Sequence, residues 1–333
     1  MTATIVAQPG TPPASPPPKP KADPVDRILD VGIYIALAAL VLVFSVASPY
    51  FLTVGNLLNI GQAVAQTGIL AAGVTIALIA GQLDISFGSV IAITAVLIAV
   101  LTSAGVPVAV AVLAAVVAGL LVGVLNGVLI VHLNISSIIS TLAVGTAVTG
   151  GAYLVASGQV VPLPDPTVFS WVNARILGLP VPMLIAIAVY VAGWILLSKT
   201  KLGAHIYAVG GNSSAALRAG IPVKRIYFTV LLISSGLAVL AGVIVLGRTG
   251  AGDPSYGAAD MFTVLGAVLL SGIGLGGGTG SVQRTLIGVL IIGVLANGLV
   301  LLGVQSYYQQ LLNGAVLVLA VVMEAIRRKR RSR

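Results

Sequence analysis

Apolar runs close to twenty residues long follow one another along most of the chain, separated by short polar or glycine-rich breaks. A helix needs about 20 residues to cross the roughly 30 Å hydrocarbon core of a bilayer. That measure places ten spanning helices at about 31–47, 57–80, 86–103, 107–131, 138–157, 180–198, 226–247, 260–278, 284–303 and 309–326. Glycine clusters around Gly81 and Gly272 blur the ends of two of them, where a broken or re-entrant segment fits. One polar, basic interval breaks the pattern, KTKLGAHIYAVGGNSSAALRAGIPVKR at 199–225. Residues 1–29 are rich in proline, alanine and lysine and lack an apolar core of signal-peptide length, so they read as a disordered, polyproline-like tail. The organisation is therefore a tail at 1–29, a transmembrane domain at 30–326 carrying the loop 199–225, and a basic tail at 327–333. The fold class is an all-α polytopic membrane protein.

Composition agrees. Of the 333 residues 58% are hydrophobic and 8% charged, whereas a soluble domain carries about 25% charged residues. The 40 glycines fit close packing of membrane helices. Cysteine is absent, which removes disulfides and thiolate chemistry. His132 and His205 lie far apart and form no metal-ligand pattern.

The net charge of +9 follows topology. With the N-terminus inside, fifteen of the 17 lysines and arginines fall on cytoplasmic segments, and only Arg175 and Arg248 fall outside. By the positive-inside rule both termini and the 199–225 loop are cytoplasmic. The terminal RRKRRSR reads as an anchor against anionic lipid and not as a nucleic-acid site.

A faint internal repeat adds to this. Gly123-Val-Leu-Asn126-Gly127 and Gly293-Val-Leu-Ala-Asn297-Gly298 sit on helices five spans apart, hence of opposite direction. Glycine–aspartate segments follow the second helix, Gly81 to Asp84, and the seventh, Gly247 to Asp253. Such pairs suggest an inverted repeat, a common transporter plan.

Gly272-Ile-Gly274-Leu-Gly-Gly277 satisfies GxGxxG, but it lies between membrane helices and lacks the strand that a dinucleotide site needs. No phosphate-binding GxxxxGK[ST] occurs, so an ATPase acting here is another polypeptide, and this chain itself binds no cofactor. The eight acids form no catalytic pair, and none is expected at the middle of a span, where ion-coupled carriers place one. The spans carry neutral polar groups instead. Ser140, Thr141, Thr146 and Asn313 are candidates for lining a path for a hydroxyl-bearing solute. Asn126 and Asn297 read as interhelical hydrogen-bonding residues, and Asp84 as a cap for the third helix. In the basic loop, Gly210-Gly211-Asn212 reads as a turn, with Asn212 capping a short helix at about 213–219 that Gly220 ends before Pro222. That helix presents Ala215, Ala216 and Arg218.

GQLDISFGSV at 81–90 resembles the GG-I-D-L-S-x-G-S segment of permease subunits of ribose-type ABC sugar importers. The loop's LGAHIYAVGGNSSAALRAGIPVKR resembles that family's cytoplasmic loop, and the stretch from Gly266 to Val321 resembles its C-terminal third. The likeness covers about 50–325. It implies a permease of the vitamin-B12-importer-like (type II) fold in a bacterial inner membrane. It also implies a second permease copy, a separate ABC ATPase that holds ATP and magnesium, a solute-binding protein, and a sugar or polyol substrate. By the same resemblance, the ATPase is met by Gly210, Gly211, Asn212, Ala215, Ala216, Arg218, Gly220 and Ile221.

Overall fold

In a computed structural model, residues 24–331 are described. The expected helical pattern is there. Helices α1 (Pro24–Ala47), α2 (Val54–Ile79), α3 (Phe87–Ser103), α4 (Val108–Val131), α5 (Ser137–Val155) and α6 (Val181–Lys199) precede the basic loop. The loop itself holds α7 (Lys201–Gly211) and α8 (Ser213–Arg218), and α9 (Val223–Thr249), α10 (Ala258–Leu270), α11 (Val282–Leu301) and α12 (Ser306–Arg331) follow. The terminal helices run into both predicted tails. α1 starts at Pro24, since proline's fixed φ suits the first helical turn. α12 continues to Arg331.

Among the described residues, six helices are long and apolar enough to cross a membrane: α2, α4, α5, α6, α9 and α11. The apolar parts of α1, α3, α10 and α12 are shorter. The largest departure from expectation is α10. A span over 260–278 was predicted, but the helix stops at Leu270, and residues 271–281 run as turns through four glycines of positive φ. Its 13 residues give about 20 Å, short of the hydrocarbon core.

Packing pairs the elements off. α2 and α9, 26 and 27 residues long, cross at the centre of the bundle. α2 packs on α11 and α10, and α9 packs correspondingly on α4 and α3. α3 lies against α4 and α5 as α10 lies against α11 and α12. The main buried cluster runs through these contacts, with Ile69, Leu70, Leu78, Phe87, Ile91, Ile244 and Leu246 below 2% exposed. Some polar groups between the helices pair with one another. Thr75 and Thr285 hydroxyls meet at 2.7 Å, and Asn56 and Asn297 exchange two amide hydrogen bonds of 2.9 Å between α2 and α11. Between α5 and α6, residues 156–180 hold short strands and a 3-10 segment, Pro166–Asn173, capped by Asp165. There β1 (Val161–Pro162) pairs antiparallel with β4 (Ala251–Gly252), and β2 (Arg175–Ile176) pairs with β3 (Leu179–Pro180).

Candidate translocation chamber and coupling hairpin

The two short helices α3 and α10 both follow the same five-residue pattern, Asp84-Ile-Ser-Phe-Gly88 and Asp253-Pro-Ser-Tyr-Gly257. In each, the aspartate Oδ1 accepts from the serine amide two residues on, at 2.9 Å for Ser86 and 2.8 Å for Ser255, a turn that redirects the chain into the helix. The two glycines then meet back to back. A Cβ on Gly88 would lie 2.7 Å from Gly257 O, and one on Gly257, whose φ is +83°, would overlap Gly88 O. Only glycine permits that approach.

The 80–86 segment is fastened to α4 and α5. Asp84 Oδ1 also accepts from Ser86 Oγ at 2.6 Å, and Asn126 Nδ2 on α4 donates to Ser86 Oγ at 2.8 Å. Ser140 Oγ on α5 donates to Asn126 Oδ1 at 3.4 Å. Thr141 Oγ1 accepts from the Ile85 amide at 3.2 Å, and Ser137 Oγ accepts from that of Leu83, also at 3.2 Å. Asp84, Ser86, Asn126, Ser140 and Thr141 are all within 2% of full burial. Asp84 thus makes a turn ahead of α3, whose N-cap, Ser86, has no side-chain cap bond. Ser234 on α9 is the neighbouring hydroxyl to the Asp84 carboxylate, though Asp84 Oδ2 and Ser234 Oγ do not meet full hydrogen-bond geometry.

Where the short helices begin, a cavity of about 300 Å³ opens between them and α5. Thr141, Thr146 and Thr149 border it from α5, Ser89 from α3, and Ser255 and Tyr256 from the segment before α10. Of the four candidates for a solute path, Thr141 and Thr146 are therefore here. Ser140 is turned to Asn126 instead, and the side chain of Asn313 lies outside the described residues. Tyr153, Ser255 and Tyr256 were not anticipated. The repeated Asp-x-Ser-aromatic-Gly pattern carries the signal for the last two, since it marks both places where the chain re-enters the bundle.

One sequence expectation is corrected at this level. Gln66, halfway along α2, donates from Nε2 to Asp260 Oδ2 at 3.1 Å. An acid at the start of the short helix α10 therefore faces the middle of the spanning helix α2. The reason is that α10 packs on α2, which brings its first turn beside Gln66.

The basic loop is a helical hairpin. Thr200 caps α7 by accepting from the Gly203 amide at 3.1 Å, and Asn212 caps α8 by accepting from Ala215 at 2.9 Å. Gly220, φ +80°, closes the hairpin before Pro222, and Ile221 packs back on its core. Two expectations fail here. Gly210 and Gly211 are the last turn of α7 and not a free turn, because the chain can stay helical up to the Asn212 cap. Ala216 is 5% exposed and packed inward, so α8 displays Ser214, Ala215, Leu217 and Arg218.

The hairpin is joined to the bundle through backbone contacts. A Cβ on Gly210 would overlap Ile79 O, one on Gly277 would lie 2.9 Å from Gly81 Cα, and one on Gly278 would lie 2.6 Å from Gly211 Cα. Tyr207 Oη donates to Gly280 O at 2.7 Å, and burial raises the phenol above its usual pKa, so it stays a donor. α7 thus bears on the C-terminal end of α2 and on the 271–281 segment that follows α10.

A family model for "Branched-chain amino acid transport system / permease component" matches residues 56–321. The ribose import permease protein RbsC of Bacillus subtilis (strain 168) is 37% identical over 88% of this chain and 92% of its own length. RbsC of Escherichia coli (strain K12) is 37% identical over 87% and 92%. The L-arabinose transport system permease protein AraH of Escherichia coli (strain K12) is 33% identical over 91% and 93%. No solved structure matches the chain. A match over that length, on a bundle of membrane-length helices, identifies a multi-pass transport component: the chain belongs to the family of ABC-type permeases described as branched-chain amino acid transport system permease components.

Proposed function

We propose that this chain is the pore-forming subunit of an ATP-driven importer for a sugar or polyol. The observation that carries the reading is the polar chamber at the start of α3 and α10, tied through the glycine contacts of α7 to a hairpin outside the spans. The chamber offers hydroxyls and no charged side chain, which suits weak, releasable bonding to a neutral polyhydroxy solute. The names of the relatives put five-carbon sugars first in a substrate screen. The remaining parts of the machine follow from the family. A separate ATPase grips α7 and α8, a solute-binding protein delivers the sugar from the other side, and a second permease copy completes the pore in a bacterial inner membrane.

The matched packing of α2–α5 and α9–α12, with the shared Asp-x-Ser-aromatic-Gly entry, supports an inverted repeat of the vitamin-B12-importer-like type. α1 and α6 bring the membrane helices to ten, α10 among them entering only part of the way, with both termini inside. ATP binding closes the ATPases and moves α7, and the two short helices then re-aim the chamber from one side to the other. Its driving force is the differential affinity of ATP for the two states.

The second reading is a gradient-driven carrier, favoured by the Gln66–Asp260 pair at mid-depth. Reconstitution separates the two. Sugar uptake into proteoliposomes holding permease, ATPase and binding protein is expected to require ATP. Uptake by the permease alone, driven by a proton or sodium gradient, overturns the importer reading.

A further inference from the structure

A groove of about 550 Å³ runs along the outside of the bundle between α2, α6 and α11. Its walls are helical stripes: Val64 and Gly68 on α2, Ile187 and Val191 on α6, Leu286 and Leu290 on α11. The α6 side is open, with Ile187, Val191 and Trp194 exposed at 46%, 49% and 41%. From Met183 to Trp194 the groove follows α6 for about 16 Å, which is the depth of one hydrocarbon leaflet. In water such a surface would be a liability. In a bilayer it is a channel the width of a chain.

Its two ends differ in charge. At the Met183 end no ionisable side chain borders it. At the other end Lys199 Nζ stands 5.6 Å from the centre of the Trp194 ring. Tryptophan and lysine together mark the headgroup level, where a lysine stem lies along apolar surface with its ammonium in the wet layer. The basic end is the end that leads into α7, the side assigned to the cytoplasm above. Anionic phospholipid is concentrated in that leaflet.

We propose that the groove binds one anionic phospholipid, with an acyl chain between α2 and α6 and the phosphate beside Lys199. Charge complementarity selects the lipid, and the apolar walls hold it. The siting has a consequence for the machine. A lipid there rests on α6, which packs on α7, and on the N-terminal turn of α11, which follows the segment that Tyr207 of α7 bonds at Gly280, so occupancy can stiffen the elements on which the hairpin pulls. The leaflet assignment rests on the orientation proposed above, but the groove and its lysine do not.

The chain has two tryptophans, so Trp171→Phe leaves Trp194 as the single reporter in the groove. The full-length variant is reconstituted in phosphatidylcholine vesicles containing a minority of phosphatidylglycerol. Either lipid is brominated in turn on its acyl chains, which quenches tryptophan on contact. Brominated phosphatidylglycerol is expected to compete for the Trp194 site about fivefold better than brominated phosphatidylcholine, the factor one lysine contributes at an anionic surface. Lys199→Glu is expected to erase the preference while leaving chain quenching in place. Equal quenching by both lipids, or a preference that survives Lys199→Glu, overturns the proposal. So does a Trp194 that neither lipid quenches, which would mean that protein, and not lipid, covers the groove. The wild-type side of the comparison needs no substituted lysine, and ATP-driven uptake plays no part in it, so failure here is separate from failure of the importer reading.

Discussion

The amide of Gly278 donates to the carbonyl of Ile79 across 2.7 Å, joining the segment after α10 to the last residue of α2. Gly210, the penultimate residue of α7, is pressed against that same carbonyl. Three parts of the chain far apart in sequence thus meet at one carbonyl, and neither glycine has room for a side chain there.

Gly210→Ala is therefore expected to force α7 off the bundle. Overpacking of this kind costs about 1–3 kcal/mol, and here the displaced element is the one proposed to meet the ATPase. ATP-driven uptake by the reconstituted complex should fall about tenfold or more, taking about 1.4 kcal/mol per factor of ten, while membrane insertion stays normal. Gly211→Ala is the control. Nothing lies within 4 Å of its Cβ position, and uptake should stay near wild type. Equal loss in both variants would show that the joint does not transmit movement.

How much of this was legible is visible at the same residues. The helical pattern and the basic interval follow from one-dimensional hydropathy, because a lipid-facing helix has no other composition open to it. The Asn212 cap could also be read, since capping is local. The role of Gly210 could not. An unneeded glycine and a glycine against a distant carbonyl look alike until Ile79 and Gly278 are placed beside it. Asp260 stands at the start of its helix as the sequence reads, but its pairing with Gln66, halfway along α2, is a contact between helices that hydropathy along one helix does not show.

Gly88 and Gly257 give a second test. Gly257→Ala introduces a Cβ that meets the Gly88 backbone at a φ of +83°, so strain and overlap combine. Gly88→Ala meets only the Gly257 carbonyl, and in the first turn of α3 it gains up to about 1 kcal/mol of helix propensity in compensation. Thermal unfolding in detergent should therefore place Gly257→Ala well below Gly88→Ala. The reverse order would mean that the two entry segments do not meet as described.

Thr146 and Thr141 border the same chamber and should respond differently. The Thr146 hydroxyl bonds only its own helix, at Leu142 O, and its side is exposed. Thr146→Val should leave the melting temperature unchanged and raise the sugar concentration for half-maximal uptake a few-fold, as loss of a bond worth about 1 kcal/mol would. Thr141, itself buried, holds the half-buried Ile85 amide through Oγ1 at 3.2 Å. Thr141→Val should destabilise the fold by about 1–3 kcal/mol through the orphaned amide, with the loss read first in the unfolding curve.

Asp84 separates charge from hydrogen bonding. Its Oδ1 accepts from both the amide and the hydroxyl of Ser86, while Ser234 on α9 is the carboxylate's other neighbour, short of full hydrogen-bond geometry. An asparagine keeps an acceptor oxygen at Oδ1 and removes the buried carboxylate. An alanine removes the acceptor and leaves the Ser86 amide unpaired inside the bundle, at about 1–3 kcal/mol. Asp84→Ala should thus lower the unfolding temperature and release the Asn126–Ser86 contact, whereas Asp84→Asn should fold as wild type and keep ATP-driven uptake. Stable folding of Asp84→Asn with complete loss of uptake would instead give the carboxylate charge a part in transport that turn geometry does not explain.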